Sequence, residues 1–276
     1  MPSCDFCKVD CKDQLKSYVC KKASYCSKDC QVKDWKTHKP SCPPFTVRQT
    51  PGGGRGLFAS RRIKEGRIIL DEYPLFTLSL GVDIGMDLLS LLEFRTKYFP
   101  NIDEQTKATI LKLDDPADIF KTLDTETVEE IIRKIPFVLL WEEFITDEPN
   151  KILRIFARNR ILICGDPDLY GDNAEAGLYS NISLINHSCL PNAVDSWVMG
   201  DFRRHQVRAL ITIEKDEEIL LSYFQNWPEF NWGSREFRRQ QLLANRVLLC
   251  DCSECSLEGE DLQENERMRA EIREKR

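Results

Sequence analysis

Apolar positions are sparse over residues 1–43, too few to bury a core. The Pro-Pro pair in "SCPPF" (41–45) closes that segment. From 46 to 80 a glycine loop, "GGGRGLFA", runs into short β-like stretches such as "RIILDEYPLFTL", with a turn at Glu65-Gly66. Residues 86–158 change to helical spacing. Leu88, Leu89, Leu91, Leu92 and Phe94 make an apolar face that Asp87 can start, and Val128, Ile131, Ile132 and Ile135 make another. "PNKILRIFARN" (149–159) predicts one more helix, opened by Pro149. Between 160 and 223 short strands return as "RILIC", "LYSNISLI", "HQVRALITI" and "EEILLSYF". Residues 234–249 read as helix, and the charged tail "EDLQENERMRAEIREKR" as a solvated helix or frayed end. The pattern predicts an α+β protein without internal repeats.

Composition narrows the class. The chain has 276 residues, 42% hydrophobic and 30% charged, enough for a real core. A net charge of −6 excludes a generic nucleic-acid binder, leaving "KDWKTHK" (33–39) as a local basic patch. Apolar runs such as Phe137 to Trp141 fall far short of the roughly 20 residues that cross a membrane. "MPSCDFCKVD" lacks the apolar region of a signal peptide, so a nuclear or cytoplasmic, reducing location is expected.

In that setting the 12 cysteines point to zinc rather than disulfides. Cys4 and Cys7 stand in "CDFC", Cys26 and Cys30 in "YCSKDC", and His38 and Cys42 in "HKPSC", with Cys20 six residues before Cys26. Pairs at these spacings can chelate tetrahedral Zn²⁺. Cys250, Cys252 and Cys255 fall within "CDCSEC" and want a fourth ligand from elsewhere. No Glu is placed as a general base, and a four-ligand site keeps no open position, so the finger is structural or docks a partner. A different question is raised by "ISLINHSCLPNAV" (182–194). Ile182, Leu184 and Ile185 set up a buried segment, and Asn186, His187, Ser188 and Cys189 then need partners. The glycines of "GGGRGLFA" allow close backbone approach to a ligand, though a plain linker reads the same way, and no phosphate-loop pattern follows.

"YCSKDCQVKDWKTHKPSC" resembles the MYND finger, a reader of proline-containing peptides that binds two interleaved zinc ions. The resemblance implies one site of Cys4, Cys7, Cys26 and Cys30, and a second of Cys20, His38, Cys42 and one more ligand. Ser17 stands where that family has a cysteine; Cys11 is the expected replacement, and water is the alternative. "GRGLFA", "NHSCLPN", "EEILLSYF" and "CDCSEC", in this order, resemble the SET domain of lysine methyltransferases, and with the finger they match the SMYD type. The order, with the finger ahead of the glycine loop, is similar to an arthropod-type variant.

That resemblance implies a MYND finger at 1–43, a SET domain at 44–229 with a helical insert at 81–158, a post-SET zinc region at 230–258 and a helical tail at 259–276. It implies S-adenosylmethionine as methyl donor, held by Gly53, Gly54, Arg55, Gly56, Leu57, Asn159, Asn186, His187, Tyr223 and Leu248. The other reading of Asn159 is a helix-end cap. A third zinc site would use Cys189, Cys250, Cys252 and Cys255. Tyr223 is the expected catalytic tyrosine, an ordinary strand aromatic being the other reading, and Tyr179 a second wall of the lysine channel. Leu248 replaces an aromatic that stacks on adenine, which lowers expected donor affinity. The two tryptophans of "QNWPEFNWGS" are expected to pack on the core rather than lid the groove. The helical C-terminal domain usual in the family is expected to be missing or reduced to the 259–276 tail, leaving an open groove. The expected function is methylation of histone or non-histone lysines. The alternative is a weak or inactive SET protein acting as a MYND-mediated adaptor or transcriptional repressor.

Overall fold

The computed structural model describes residues 3–10, 16–17, 23–39, 42–50, 54–80, 94–113, 148–163, 174–225, 227–246 and 248–275. In the cysteine-rich segment, strands β1 (Lys16–Ser17) and β2 (Ser24–Tyr25) pair antiparallel ahead of helix α1 (Lys28–His38). Ser27 starts α1 by accepting the Cys30 N–H on its hydroxyl at 3.2 Å. The small core here is Cys4, Ala23 and Tyr25, with the Tyr25 hydroxyl donating to Asp34 at 2.8 Å. Among the described residues no aliphatic side chain larger than Ala23 joins it, so the segment depends on whatever the cysteines hold.

The rest is α+β, built on small sheets. Strands β3 (Phe45–Gln49), β4 (Arg55–Ala59) and β5 (Ile68–Glu72) follow the finger, the turn at Gly66 taking φ +75°. Strand β6 (Phe76–Leu80) is separate, because "RIILDEYPLFTL" breaks at Tyr73-Pro74, where proline removes a ladder donor. Helices α2 (Glu104–Ile110) and α3 (Glu148–Asn159) come next, the latter close to the predicted 149–159. The helical faces predicted around 88–92 and 128–135 lie outside the described residues. Strands β7 (Ile161–Ile163), β8 (Ala174–Leu178), β9 (Asn186–His187), β10 (Ala193–Val198), β11 (Asp201–Ala209) and β12 (Glu218–Leu221) complete the sheets, in orders β3-β4-β12-β9, β10-β11-β5 and β6-β8-β7. Short helix α4 (Pro228–Asn231), α5 (Arg235–Arg246) and α6 (Gly259–Glu274) close the chain.

Three packing centres position the site. Leu57, Ile69, Tyr179, Ile185, Val207 and Ile219 fill the space between the first two sheets. Leu78, Phe94, Ile110, Ile152, Ile155 and Phe156 pack helices against β6 and β8. Phe230 and Leu242 join Cys250 and Cys255 in a third, against which Tyr223, Trp227 and Leu248 pack, so Trp227 does pack on the core.

"LYSNISLI" is not one strand. After Leu178 the Glu72 carboxylate accepts the Asn181 and Ile182 backbone N–H groups at 3.0 and 2.7 Å and the Ser180 hydroxyl at 3.0 Å. Those bonds replace a ladder and turn Ile182–Leu184 into a 3₁₀ turn. Helix α5 stops at Arg246, three residues before its predicted end.

Candidate functional site

Strand β9 is only two residues long, yet it runs parallel to β12, pairing Asn186 with Leu220 and His187 with Leu221. On its other side β12 pairs with β4, Ile219 opposite Leu57. The strand leading to Tyr223 thus sits between the glycine-loop strand and the polar run. The Asn186 amide donates to Arg55 O at 3.0 Å and to Glu218 Oε1 at 2.7 Å, joining all three segments. A Cβ on Gly56 would lie 2.2 Å from Glu218 Oε1 and 3.0 Å from Asn186 Nδ2, so any larger residue must displace the Glu218 carboxylate. Gly56→Ala is expected to push Glu218 off Asn186 and cost about 1–3 kcal/mol, read by chemical denaturation. Unchanged stability would mean the pair is not held as described.

His187 is engaged inside the protein through both ring nitrogens. Nδ1 accepts the Tyr223 backbone N–H at 3.1 Å, and Nε2 lies 3.4 Å from Cys189 Sγ. An accepting Nδ1 places the ring proton on Nε2, aimed at the sulfur. Burial lowers the His187 pKa to about 4, so the ring is neutral at pH 7. This side chain therefore ties Tyr223 to the cysteine cluster, and only its backbone is left to meet a ligand. The Tyr223 hydroxyl donates to Ile185 O at 3.0 Å, and its ring stands 5.2 Å from that of His187.

The other predicted residues are distributed around this centre. Leu248 is half-buried against the cluster that also carries Tyr223. Gly54 and Arg55 are half-buried, Leu57 is fully buried in the core, and Gly53 lies outside the described residues. The Asn159 amide donates to Ile155 O at 2.8 Å, one turn back in α3, and its own carbonyl accepts the Ser183 hydroxyl at 3.0 Å. It caps its helix and holds the 3₁₀ turn. Tyr179 is fully enclosed; its hydroxyl donates to Arg203 O at 2.8 Å and its ring lies 5.0 Å from His205. In this state it offers no surface to a substrate.

Two cysteine quartets are assembled. The sulfurs of Cys4, Cys7, Cys26 and Cys30 lie within 4.8 Å of one another, as do those of Cys189, Cys250, Cys252 and Cys255. The closest separations, 3.5 Å for Cys26–Cys30 and 3.6 Å for Cys189–Cys255, approach the roughly 3.8 Å edge of a tetrahedral zinc-thiolate site. Four thiols so close cannot all ionise without a cation. Cys189, Cys252 and Cys255 push the Cys250 thiol far up, and Cys252 is held far below its ordinary value by Cys189, Cys250 and Cys255. Both quartets therefore suit zinc. For the second finger site, the Cys42 N–H donates to His38 O at 3.0 Å, which keeps those two candidates together. Cys11 and Cys20 lie outside the described residues.

Sequence reading passed over four charged residues that build the site. Glu218 and Glu72 orient Asn186 and the turn before it, as described above. Arg246 ends α5 and lays its guanidinium over the Tyr223 ring, 5.6 Å from the centroid. Its Nη1 donates to Arg158 O and Arg160 O at 2.9 and 2.8 Å, while Arg158 Nη1 reaches back to Arg246 O at 3.4 Å. Two helix C-termini meet here, and each arginine satisfies carbonyls of the other helix. Burial, with Arg246 adding to it, lowers the Arg160 pKa to about 9, so positive charge is crowded at this edge. The fourth, Arg238, is buried beside the second quartet. An alternating or helical pattern marks none of the four as inward-facing.

Comparison with known proteins agrees with this geometry. A MYND-finger model matches residues 4–42 and a SET-domain model residues 54–224. Histone-lysine N-methyltransferase ASHR1 of Arabidopsis thaliana is 27% identical over 273 residues, covering 95% of this chain and 48% of that protein. Histone-lysine N-methyltransferase SMYD3 of Homo sapiens is 27% identical over 275 residues, covering 94% and 52%. N-lysine methyltransferase SMYD2-B of Xenopus laevis is 24% identical over 259 residues, covering 94% and 52%. The chain spans about half the length of these curated relatives. With the SET match covering most of the chain and the Asn186–Tyr223 centre lying inside it, the chain belongs to the SET-domain family and carries a MYND finger ahead of that domain.

Proposed function

We propose that this chain is an S-adenosylmethionine-dependent protein-lysine N-methyltransferase. The observation that carries the reading is the convergence of Asn186, the Arg55 backbone and Tyr223 on the short β9 crossing, with the Tyr223 hydroxyl held by Ile185 O. The residues suit such a donor. The half-buried glycine-loop backbone and Asn186 offer polar contacts for its amino-acid end, and Leu248 an apolar wall for its adenine. When bound, S-adenosylmethionine supplies an electrophilic methyl group.

The chain's task is then to present a neutral amine in line. A free lysine has pKa about 10.4, so deprotonation at pH 7 costs roughly 4–5 kcal/mol. An enclosed, apolar approach lowers that cost by disfavouring the ammonium. Tyr223, fixed at its backbone by His187 and at its hydroxyl by Ile185, orients the amine, which is catalysis by positioning. The test is transfer of radiolabelled methyl from S-adenosylmethionine to core histones, with the product lysine located by mass spectrometry. Label on lysine above a Tyr223→Phe background supports the reading, and none above it opposes it.

Three zinc sites complete the proposal: Cys4, Cys7, Cys26 and Cys30; Cys11, Cys20, His38 and Cys42; and Cys189, Cys250, Cys252 and Cys255. Exposed Val32 and Trp35, one turn apart on α1, suit the finger to stacking on proline-containing peptides. A nuclear or cytoplasmic location fits its free thiols.

Leu248 and Arg246 favour the second reading, an adaptor or repressor with a weak SET domain. Leucine cannot stack on adenine, and a fixed guanidinium over Tyr223 repels an arriving ammonium. Leu248→Phe is expected to tighten donor binding about 3- to 10-fold, measured by calorimetric titration. Unchanged or weaker binding would mean that Leu248 does not face the donor.

A further inference from the structure

Helix α5 begins "REFRR", which places Arg235, Arg238 and Arg239 at i, i+3 and i+4, one face of the helix. All three turn toward the cysteine loop that follows. Arg239 Nε donates to Cys250 O at 3.0 Å. Arg235 Nη1 donates to Leu257 O at 2.8 Å and reaches Cys255 O at 3.5 Å. These two hold the loop by its backbone, on either side of the sulfurs.

Arg238, between them, is different. It is 0% exposed, and its Nη1 donates to Gly233 O at 2.6 Å. Its Nε and Nη2 are buried without a hydrogen-bond partner, and among the described residues no carboxylate pairs with it. Glu254, the carboxylate beside Cys255 in sequence, is taken by Arg269 at 2.8 Å. A buried guanidinium without a counter-charge is costly. Its guanidinium lies against the Cys189 and Cys255 side chains. Four thiolates around one divalent cation leave two net negative charges, so the cluster has the charge that this cation lacks.

We propose that Arg238 is the fixed counter-cation of the Cys189–Cys250–Cys252–Cys255 metal site, and that it governs how firmly that site retains zinc while Arg235 and Arg239 clamp the loop. The inference rests on the zinc site proposed above. Partners of metal ligands commonly change metal affinity ten- to a hundredfold when lost.

The experiment uses the whole zinc-loaded chain and reads zinc release to a chromogenic chelator, with Cys252→Ser to identify which zinc belongs to this site. Arg238→Met keeps apolar bulk but removes the charge; it is expected to release that zinc at least ~10-fold faster than wild type. Arg238→Lys keeps the charge and is expected to fall between the two. Replacing zinc with Co²⁺ gives a second readout: the sulfur-to-cobalt band should move to lower energy in Arg238→Met, because its thiolates have lost a cation. Wild-type release and an unmoved band in Arg238→Met would overturn the proposal. So would an Arg238→Lys variant as leaky as Arg238→Met, since packing rather than charge would then decide. Should Arg238→Met not fold, the lysine variant carries the test: release slower than ~10 times the wild-type rate supports the counter-cation role, and faster release overturns it. Failure of the underlying zinc reading looks different: wild type and Cys252→Ser would then hold equal amounts of zinc.

Discussion

Tyr223→Phe is expected to slow methyl transfer about 100-fold while leaving donor affinity, zinc content and the fold unchanged. The ring keeps its neighbours in the variant, since packing on the Phe230 and Leu242 cluster and the Arg246 contact involve no hydroxyl. The backbone N–H still reaches His187 Nδ1. What disappears is one hydroxyl bound to Ile185 O, worth about 1 kcal/mol to stability. A rate loss much larger than the stability loss marks a group that positions the reacting amine. Steady-state rates and thermal denaturation on the same samples separate the two. Comparable activity in both proteins would make Tyr223 an ordinary packed aromatic.

Cys252→Ser is expected to have the larger structural effect. Cys252 Sγ lies among the four sulfurs and also accepts the Cys189 backbone N–H at 3.4 Å, so it ties the tail to the polar turn. A serine hydroxyl is a poor zinc ligand. Zinc content should fall by one ion per chain, and stability by several kcal/mol, because binding energy at such a site is folding energy. Donor binding should be lost with it. His187 spans from Cys189 to the Tyr223 backbone, so disorder at the quartet reaches the Asn186–Tyr223 centre directly. Lowering pH should act in the same direction in the wild type, since ligand thiolates must be deprotonated to hold zinc. Metal analysis, denaturation and donor titration check this. Full zinc content with unaltered donor binding in the variant contradicts it.

The zinc chemistry was legible because cysteine spacing is local. Cys4 and Cys7 form one short-spaced pair, Cys26 and Cys30 another, and Cys250, Cys252 and Cys255 share one loop, so at least half of each quartet is local in sequence. Helix α3 was legible too, its apolar Ile152, Ile155 and Phe156 recurring at helical intervals. The inward charges were not. In "EEILLSYF", Ile219 and Leu221 announce the core face, but nothing local says that Glu218, on the opposite face, meets Asn186 rather than water. Glu72 likewise looks like a strand-end carboxylate until four donors of residues 180–182 close on it. Arg238 and Arg246 belong to a helix whose charges resemble a solvated face, and only the third dimension shows sulfurs beneath one and an aromatic ring beneath the other. The break in "LYSNISLI" has the same origin: strand propensity lost to a carboxylate more than 100 residues away in sequence. Long-range polar contacts are the part of a site that periodicity cannot encode.

The central claim is that the β9 crossing binds a methyl donor. Calorimetric titration of S-adenosylmethionine into zinc-loaded protein tests it most directly, with Asn186→Ala alongside. Saturable one-to-one binding that disappears in the variant is the predicted result. No binding at millimolar donor, by a folded and metal-replete protein, would contradict the enzyme reading and leave the finger as the functional part.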